Sequence, residues 1–168
     1  MLILVIIDIV ADDKNLKYNI EQIFSRKESI IISRDKINIF GNKYLINFTA
    51  KPIKISCKKI VLLSKTFYKN INISAEDICI ATSTDKKALE LLKGCHSPVI
   101  TCGFNSSDTL TFSSLNKEVI VSLQRGIETV NGNELEPKEF KTMFTTQNKN
   151  NELMINALLL LLELEKNI

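Results

Sequence analysis

The stretch from Ile78 to Leu115 constrains the fold most, because it has the pattern of a strand, a helix and a second strand. The apolar run Ile78–Ile80 is too short for a helix. It is followed by Ser83 and Thr84, either of which can accept hydrogen bonds from the free N–H groups at the start of a helix. We therefore predict a helix over Asp85–Lys93, with alanine and leucine side chains on its buried face.

The end of this helix is marked by Gly94 and Pro98. Gly94 stands where a left-handed residue ends many helices, and Pro98 prevents a return to helix before the second strand at Val99–Cys102. We expect the two strands to be parallel and joined by a right-handed crossover. The predicted fold class is therefore α/β, a three-layer mixed sheet with this parallel core and added antiparallel strands and hairpins. The simplest organisation is a single domain over residues 1–168.

Polar residues follow both predicted strands, at the edge where open α/β sheets hold their ligands. Candidates for ligand binding are Ser83, Thr84, Asp85, Asn105, Ser106 and Asp108, with Ser107 in the same loop. The alternative for Asp85 is a purely structural role beside the helix dipole, and the loop residues are equally suited to plain solvation.

The segments before this unit predict a strand, a helix and more strands. The strand covers Leu2–Val10, and the helix covers Asn15–Arg26 with Asp12 or Asp13 as its cap. Residues 29–49 have the pattern of an antiparallel meander, with a turn at Gly41-Asn42, and Lys59–Ser64 is a further strand.

The segments after it predict antiparallel pairs and a final helix. Residues 108–115 pair with 118–124, and Asn131-Gly132 is a strong hairpin signal. A polar loop over 141–151 offers Asn150 or Asn151 as a cap for a helix at Glu152–Glu165. This helix is apolar on nearly every side, so we expect it in the core or in a subunit contact that would make a homo-oligomer.

Composition and charge exclude several partners. The net charge of +3 is dispersed, which does not favour nucleic acid, and the apolar N-terminal run is far below the roughly 20 residues of a membrane span. We expect a cytoplasmic protein with no membrane partner, whose cysteines are thiols. The abundance of Ile, Asn and Lys indicates an AT-rich, bacterial genome.

Phosphate-binding loops need glycines that let backbone N–H groups close around the oxygens. None of the five glycines is followed by Lys, and no two are separated by a single residue. Neither a P-loop nor a dinucleotide fingerprint is present, so the sequence predicts no nucleotide cofactor.

A cysteine nucleophile would need a base, and the single histidine, His96, could serve Cys95 or Cys102. No C-x-x-C pair exists and adjacent residues rarely bind one metal together, so we predict no metal site. In the alternative interpretation, Cys79 and Cys102 are small core residues and His96 lies exposed in a loop.

The segment Val99-Ile-Thr-Cys-Gly-Phe104, with Asp108 after it, resembles the central domain of the Mur ligases, ATP-dependent enzymes that add amino acids to peptidoglycan precursors, and of the related folylpolyglutamate synthetases. In that family a strand ending like Ile78–Asp85 leads through a helix to this second strand. The family later has a characteristic motif on a helix, and Asn156-Ala-Leu-Leu resembles the end of that motif. The resemblance covers about residues 78–165.

The departures from the family decide the expected function. The phosphate loop is absent, Glu152-Leu153 replaces the family's His-Asn pair, and the carbamylated lysine has no counterpart. The resemblance therefore implies a sheet without ATP chemistry, in a non-catalytic protein that binds a small ligand or a protein partner. The alternatives are a cysteine-dependent enzyme using Cys102 or Cys95 with His96, and a structural subunit of a larger assembly.

Overall fold

A computed structural model describes residues 4–49, 58–64 and 71–164. It confirms the predicted three-layer α/β class, because parallel strands, antiparallel hairpins and helices combine around a mixed sheet. The chain divides into two compact units. Unit 1 holds residues 1–79 and 85–99, and unit 2 holds residues 80–84 and 100–168. The single-domain organisation stays a prediction.

In unit 1 the strands are β1 (Val5–Ala11), β2 (Ser29–Ile32), β3 (Ile37–Ile39), β4 (Tyr44–Asn47) and β5 (Lys59–Ser64). Their order is β5-β1-β4-β2-β3. The first four strands of that order are mutually parallel, and only β3 is antiparallel to its neighbour. The N-terminal strand is thus confirmed, although its predicted start at Leu2 lies outside the described residues.

The predicted antiparallel meander over residues 29–49 is wrong in part. β2 and β3 do form an antiparallel pair, but β4 lies between β1 and β2 and runs parallel to both. Gly41, which we predicted in a hairpin turn, lies where the chain crosses the start of β2. A Cβ there would lie 2.5 Å from the Cα of Glu28, so the crossing requires glycine.

Helix α1 (Lys14–Phe24) covers one face of this sheet. Asp13 caps it, because its carboxylate accepts hydrogen bonds from the N–H groups of Asn15 and Leu16 at 2.9 and 3.1 Å. The ring of Phe24 packs edge-on against Tyr44 on β4, with 5.4 Å between centroids. The predicted helix and one of its two candidate caps are confirmed.

The predicted strand–helix–strand unit is present as β6 (Ile78–Thr82), α2 (Lys86–Lys93) and β7 (Val99–Cys102). The N–H of Cys79 donates to the carbonyl of Pro98, and the N–H of Ser83 donates to that of Cys102. Both partners advance in the same direction along the chain, so the two strands are parallel, as predicted.

Both ends of α2 differ from the prediction. The cap is Asp85, whose carboxylate accepts from the N–H of Ala88 at 3.0 Å, and neither Ser83 nor Thr84 takes that role. A carboxylate three residues before a free N–H reaches it, whereas the earlier hydroxyls still belong to the strand end. Gly94 ends the helix in a right-handed conformation, with φ −86°, so the left-handed prediction is wrong.

In unit 2 the remaining strands are β8 (Leu110–Leu115), β9 (Val119–Leu123), β10 (Ile127–Glu128), β11 (Glu134–Leu135) and β12 (Lys138–Lys141). β8 is parallel to β7 and antiparallel to β9, which pairs with β12. The predicted hairpin around Asn131-Gly132 is confirmed by the antiparallel pairing of β10 with β11. The strand predicted from Asp108 begins only at Leu110, since Asp108 belongs to the preceding turn.

The final helix, α3 (Lys149–Leu161), is confirmed and lies in the core, because every residue from Asn151 to Leu161 is buried. Its cap is Asn148, which accepts from the N–H groups of Asn150 and Asn151, so both predicted caps are wrong by two or three positions. The predicted end at Glu165 lies outside the described residues. A homo-oligomer through this helix stays a prediction.

Candidate functional site

The turn after β7 is held by one buried carboxylate, that of Asp108. Its Oδ2 atom accepts hydrogen bonds from the hydroxyl of Ser83 at 3.1 Å and from the backbone N–H of Asn105 at 3.0 Å. The N–H of Asp108 donates in return to the carbonyl of Asn105 at 3.0 Å. Asp108 therefore closes the turn and ties it to the end of β6, which brings three of the candidate residues, Ser83, Asn105 and Asp108, into contact.

Gly103 makes this arrangement possible. A Cβ at this position would lie 2.2 Å from the Ser83 hydroxyl oxygen and 2.4 Å from Asp108 Oδ2. Both atoms belong to the hydrogen bond that fixes the turn, so a side chain at Gly103 would force them apart. The glycine serves close approach within the turn, a role that its sequence neighbours did not indicate.

The residues between Gly103 and Asp108 are exposed. Phe104 is 56% exposed, although its ring lies 5.8 Å from that of Phe112, and Asn105 and Ser106 are exposed beside it. The ammonium group of Lys149 lies 5.6 Å from the centre of the Phe112 ring. The turn thus exposes an aromatic ring, an amide and hydroxyl groups, and its backbone is held by the Asp108 carboxylate. We call Phe104–Ser107 the aromatic turn.

The other predicted site residues have local roles. The carboxylate of Asp85 is used as the cap of α2, which matches the structural alternative. Thr84 is exposed, and its hydroxyl lies 3.4 Å from that of Thr82.

The two buried cysteines in the described part of the chain disfavour nucleophilic catalysis. Cys102 is fully buried, and burial first and the nearby Asp108 carboxylate second raise the pKa of its thiol strongly. Burial likewise raises the pKa of Cys79 to about 11. Because only the thiolate is a good nucleophile, neither thiol is activated. Cys95 is half-buried with its thiol 3.5 Å from the carbonyl of Leu91, and His96 is exposed.

Sequence reasoning missed a buried ion cluster in unit 1. The ammonium group of Lys59 lies 3.1 Å from Asp8 Oδ2 and 4.0 Å from Asp77 Oδ2, and Asn47 donates to Asp8 Oδ1 at 2.8 Å. All four side chains are buried. Asp8 Oδ2 is within ion-pair distance of Lys59 but lacks the angles of a hydrogen bond. The available signal was a charged residue inside each of two apolar strands.

A second polar cluster fixes the start of α3. The amide of Asn156 donates to the carbonyls of Glu152 and Phe144 and accepts from the N–H of Met143. Glu152 is completely buried, with Oε2 2.7 Å from the ammonium of Lys149, while its Oε1 has no partner among the described residues. The polar residues of an otherwise apolar helix were the signal for this cluster.

Within the described residues, no group of three or more His, Cys, Asp or Glu side chains is placed to hold a metal ion. Across the same residues, no helix has both the length and the apolar character needed to cross a membrane. No protein-family model matches the chain, and no curated protein matches it.

Proposed function

We propose that this chain is a non-catalytic binding domain of Mur-ligase-like ancestry, which recognises a small ligand or a protein partner through the aromatic turn. The observation that carries the proposal is the buried Asp108 carboxylate, which bonds to Ser83 and Asn105 while Phe104 stays 56% exposed. Because the backbone of the turn is already fixed, it has little backbone entropy to lose on binding.

The chemistry of the turn favours a partner with a flat apolar group and a polar rim. The Phe104 ring offers a stacking surface next to Phe112, and the amide of Asn105 can both donate and accept hydrogen bonds. Residues 104–107 carry no charge, so affinity would come from stacking and hydrogen bonding more than from ion pairing.

Three candidate catalytic groups among the described residues support binding over catalysis. The thiols of Cys79 and Cys102 have raised pKa values, and the Asp85 carboxylate already caps a helix. The missing phosphate loop supports the same conclusion, because the Mur ligases need it to hold ATP.

A thermal-shift screen of nucleotides and peptidoglycan precursors tests the proposal. A ligand present at 100 times its Kd stabilises the native state by about 2.7 kcal/mol, which raises the Tm of a chain of this size by roughly 5–10 °C. Phe104→Ala should abolish the shift without lowering the Tm of the free protein, because Phe104 is largely exposed.

Leu115→Ala is the matched control, since Leu115 is also an exposed apolar residue of unit 2, at 48%. It should leave the ligand-induced shift unchanged. ATP hydrolysis or ligation by the purified protein that disappears in Asp85→Ala would overturn the proposal, as would a ligand whose effect survives Phe104→Ala.

A further inference from the structure

Strand β3 forms the outer edge of the unit 1 sheet and is unusually apolar for an edge. Ile37 is 63% exposed, Ile39 is 73% exposed, and Phe40, which follows them, is 49% exposed. Natural proteins commonly protect such edges with charged residues, prolines or bulges, and the stretch from Ile37 to Phe40 contains no charge and no proline.

The backbone of β3 leaves hydrogen-bonding groups directed outward. The N–H of Phe40 donates to the carbonyl of Ser29 at 2.7 Å, and the carbonyl of Lys36 accepts from Ser33 at 2.9 Å. Because backbone groups alternate in direction along an antiparallel strand, those of Lys36, Asn38 and Phe40 face β2. The N–H and C=O groups of Ile37 and Ile39 therefore face away from the sheet.

The two isoleucine side chains also share one face. Asn38 points to the α1 side, where its amide lies 3.4 Å from Glu21 Oε1. Ile37 and Ile39 point to the opposite face, and there they oppose Ile32 and Ile30 of β2. These four isoleucines form a continuous apolar patch beside an edge that pairs with no further strand among the residues that the structure describes. We call the four isoleucines the β3 patch.

We propose that a second copy of this chain pairs with β3 in antiparallel orientation, about a two-fold axis at Asn38. In this register Ile37 of each copy opposes Ile39 of the other. Each such pair exchanges two backbone hydrogen bonds through the outward-facing groups, and the two-fold axis creates a second, identical pair. The β3 patches of the two copies then join on the same face of a continuous sheet.

We infer that the partner strand comes from a second copy of this chain, because the β3 edge is complementary to itself. Ile-Asn-Ile has the same order from either end, so the two-fold axis places apolar on apolar and Asn38 beside Asn38 of the second copy. The nearest charge, Lys36, is neutralised by Glu21 at 2.8 Å, so like charges do not oppose pairing. The contact is short and lies below the size of stable interfaces, so the dimer should be weak and concentration-dependent.

Sedimentation equilibrium over a concentration series from about 5 to 500 μM tests this interface. The apparent mass should rise from 19.0 kDa towards twice that value. Ile39→Lys should raise the dimer Kd at least about tenfold, because each copy would then bury an ammonium group against the isoleucines of the other. Leu115→Lys, the same change at an exposed apolar residue of unit 2, should leave the Kd unchanged.

A cysteine variant tests the register itself. Asn38→Cys places two thiols opposite each other at the axis, where neighbouring Cα atoms of a non-hydrogen-bonded pair lie about 4.5 Å apart. Mild oxidation should link this variant into a covalent dimer faster than the unmodified chain. A monomer at every concentration, a dimer unaffected by Ile39→Lys, or no excess crosslinking of Asn38→Cys would each overturn the proposal.

Discussion

The ammonium group of Lys59 lies 3.1 Å from the carboxylate of Asp8, and both side chains are buried in the parallel sheet of unit 1. The carboxylate of Asp77 lies 4.0 Å from the same ammonium group. A charge removed from water is costly unless its partner remains, so these residues depend on one another.

Removing one partner of this pair should therefore be strongly destabilising. Asp8→Ala should lower the free energy of unfolding by about 3–5 kcal/mol, because Lys59 would lose its nearest counter-charge while it stays buried. Urea unfolding measures the change. Lys141→Ala, which breaks an exposed ion pair with Glu118, is the control and should cost at most about 1 kcal/mol. Similar losses in the two variants would contradict this account of the cluster.

Loss of the Asn156 amide should also lower the free energy of unfolding, because the amide forms hydrogen bonds with backbone groups before and within α3. Asn156→Ala leaves the half-buried N–H of Met143 without this partner, at a cost of about 1–3 kcal/mol, whereas the carbonyl of Phe144 still accepts from the Thr142 hydroxyl. Hydrogen exchange should show faster exchange at Met143 than in the unmodified chain. Unchanged protection there would show that the amide is dispensable.

Gly103 should not tolerate alanine. The added methyl group would collide with Ser83 and Asp108 and should cost about 1–3 kcal/mol of stability. Gly94→Ala is a matched control, because Gly94 has a right-handed conformation and a Cβ there would meet its nearest atom only at 3.9 Å. That change should be neutral or stabilising by up to about 1 kcal/mol. Equal effects at both positions, measured by urea unfolding, would contradict the packing described for the turn.

The thiols should differ in reactivity. Of the three cysteines that the structure describes, the half-buried Cys95 should react with iodoacetamide first at pH 8. The buried Cys79, with a pKa raised to about 11, and Cys102 should stay protected. Peptide mass spectrometry after timed labelling measures each site. Rapid labelling of Cys102 in the folded protein would contradict this expectation and would favour the alternative function as a cysteine-dependent enzyme.

The central strand–helix–strand unit could be predicted because its signals are local. A short apolar run, helix-forming residues and Pro98 all lie within one continuous stretch. The position of β4 between β1 and β2 could not be predicted. Strand order depends on how the whole sheet buries its apolar residues, and the turn next to β4 does not determine it. For the same reason, the ion pair between Asp8 and Lys59 could not be predicted from the sequence of either strand.

Helix ends show a related limit. Gly94 was predicted to be left-handed and is right-handed, whereas Glu163 after α3 has φ 55° and ends that helix in the left-handed conformation. The N–H groups of Glu163 and Leu164 donate back to Leu160 and Leu159, which satisfies the final carbonyls of the helix. Hydrogen bonds from Thr129 and Asn133 to the Glu163 carboxylate hold this residue in a conformation that its type disfavours.

The candidate site was predicted only in part for the same physical reason. The edge after the two parallel strands follows from topology, so Ser83, Asn105 and Asp108 could be placed together. The use of the Asp108 carboxylate within the turn depends on the close approach at Gly103, which no sequence pattern reports. The position of Asp85 in the sequence also suggested a ligand contact, but its carboxylate caps α2.

The most direct test of the account is a two-dimensional amide NMR titration with the ligand that gives the largest thermal shift. We expect the largest chemical-shift changes at the amides of residues 104–107, and their loss in Phe104→Ala. Changes centred on another surface, such as the hairpin of β10 and β11, would contradict the claim that the turn held by Asp108 is the binding surface.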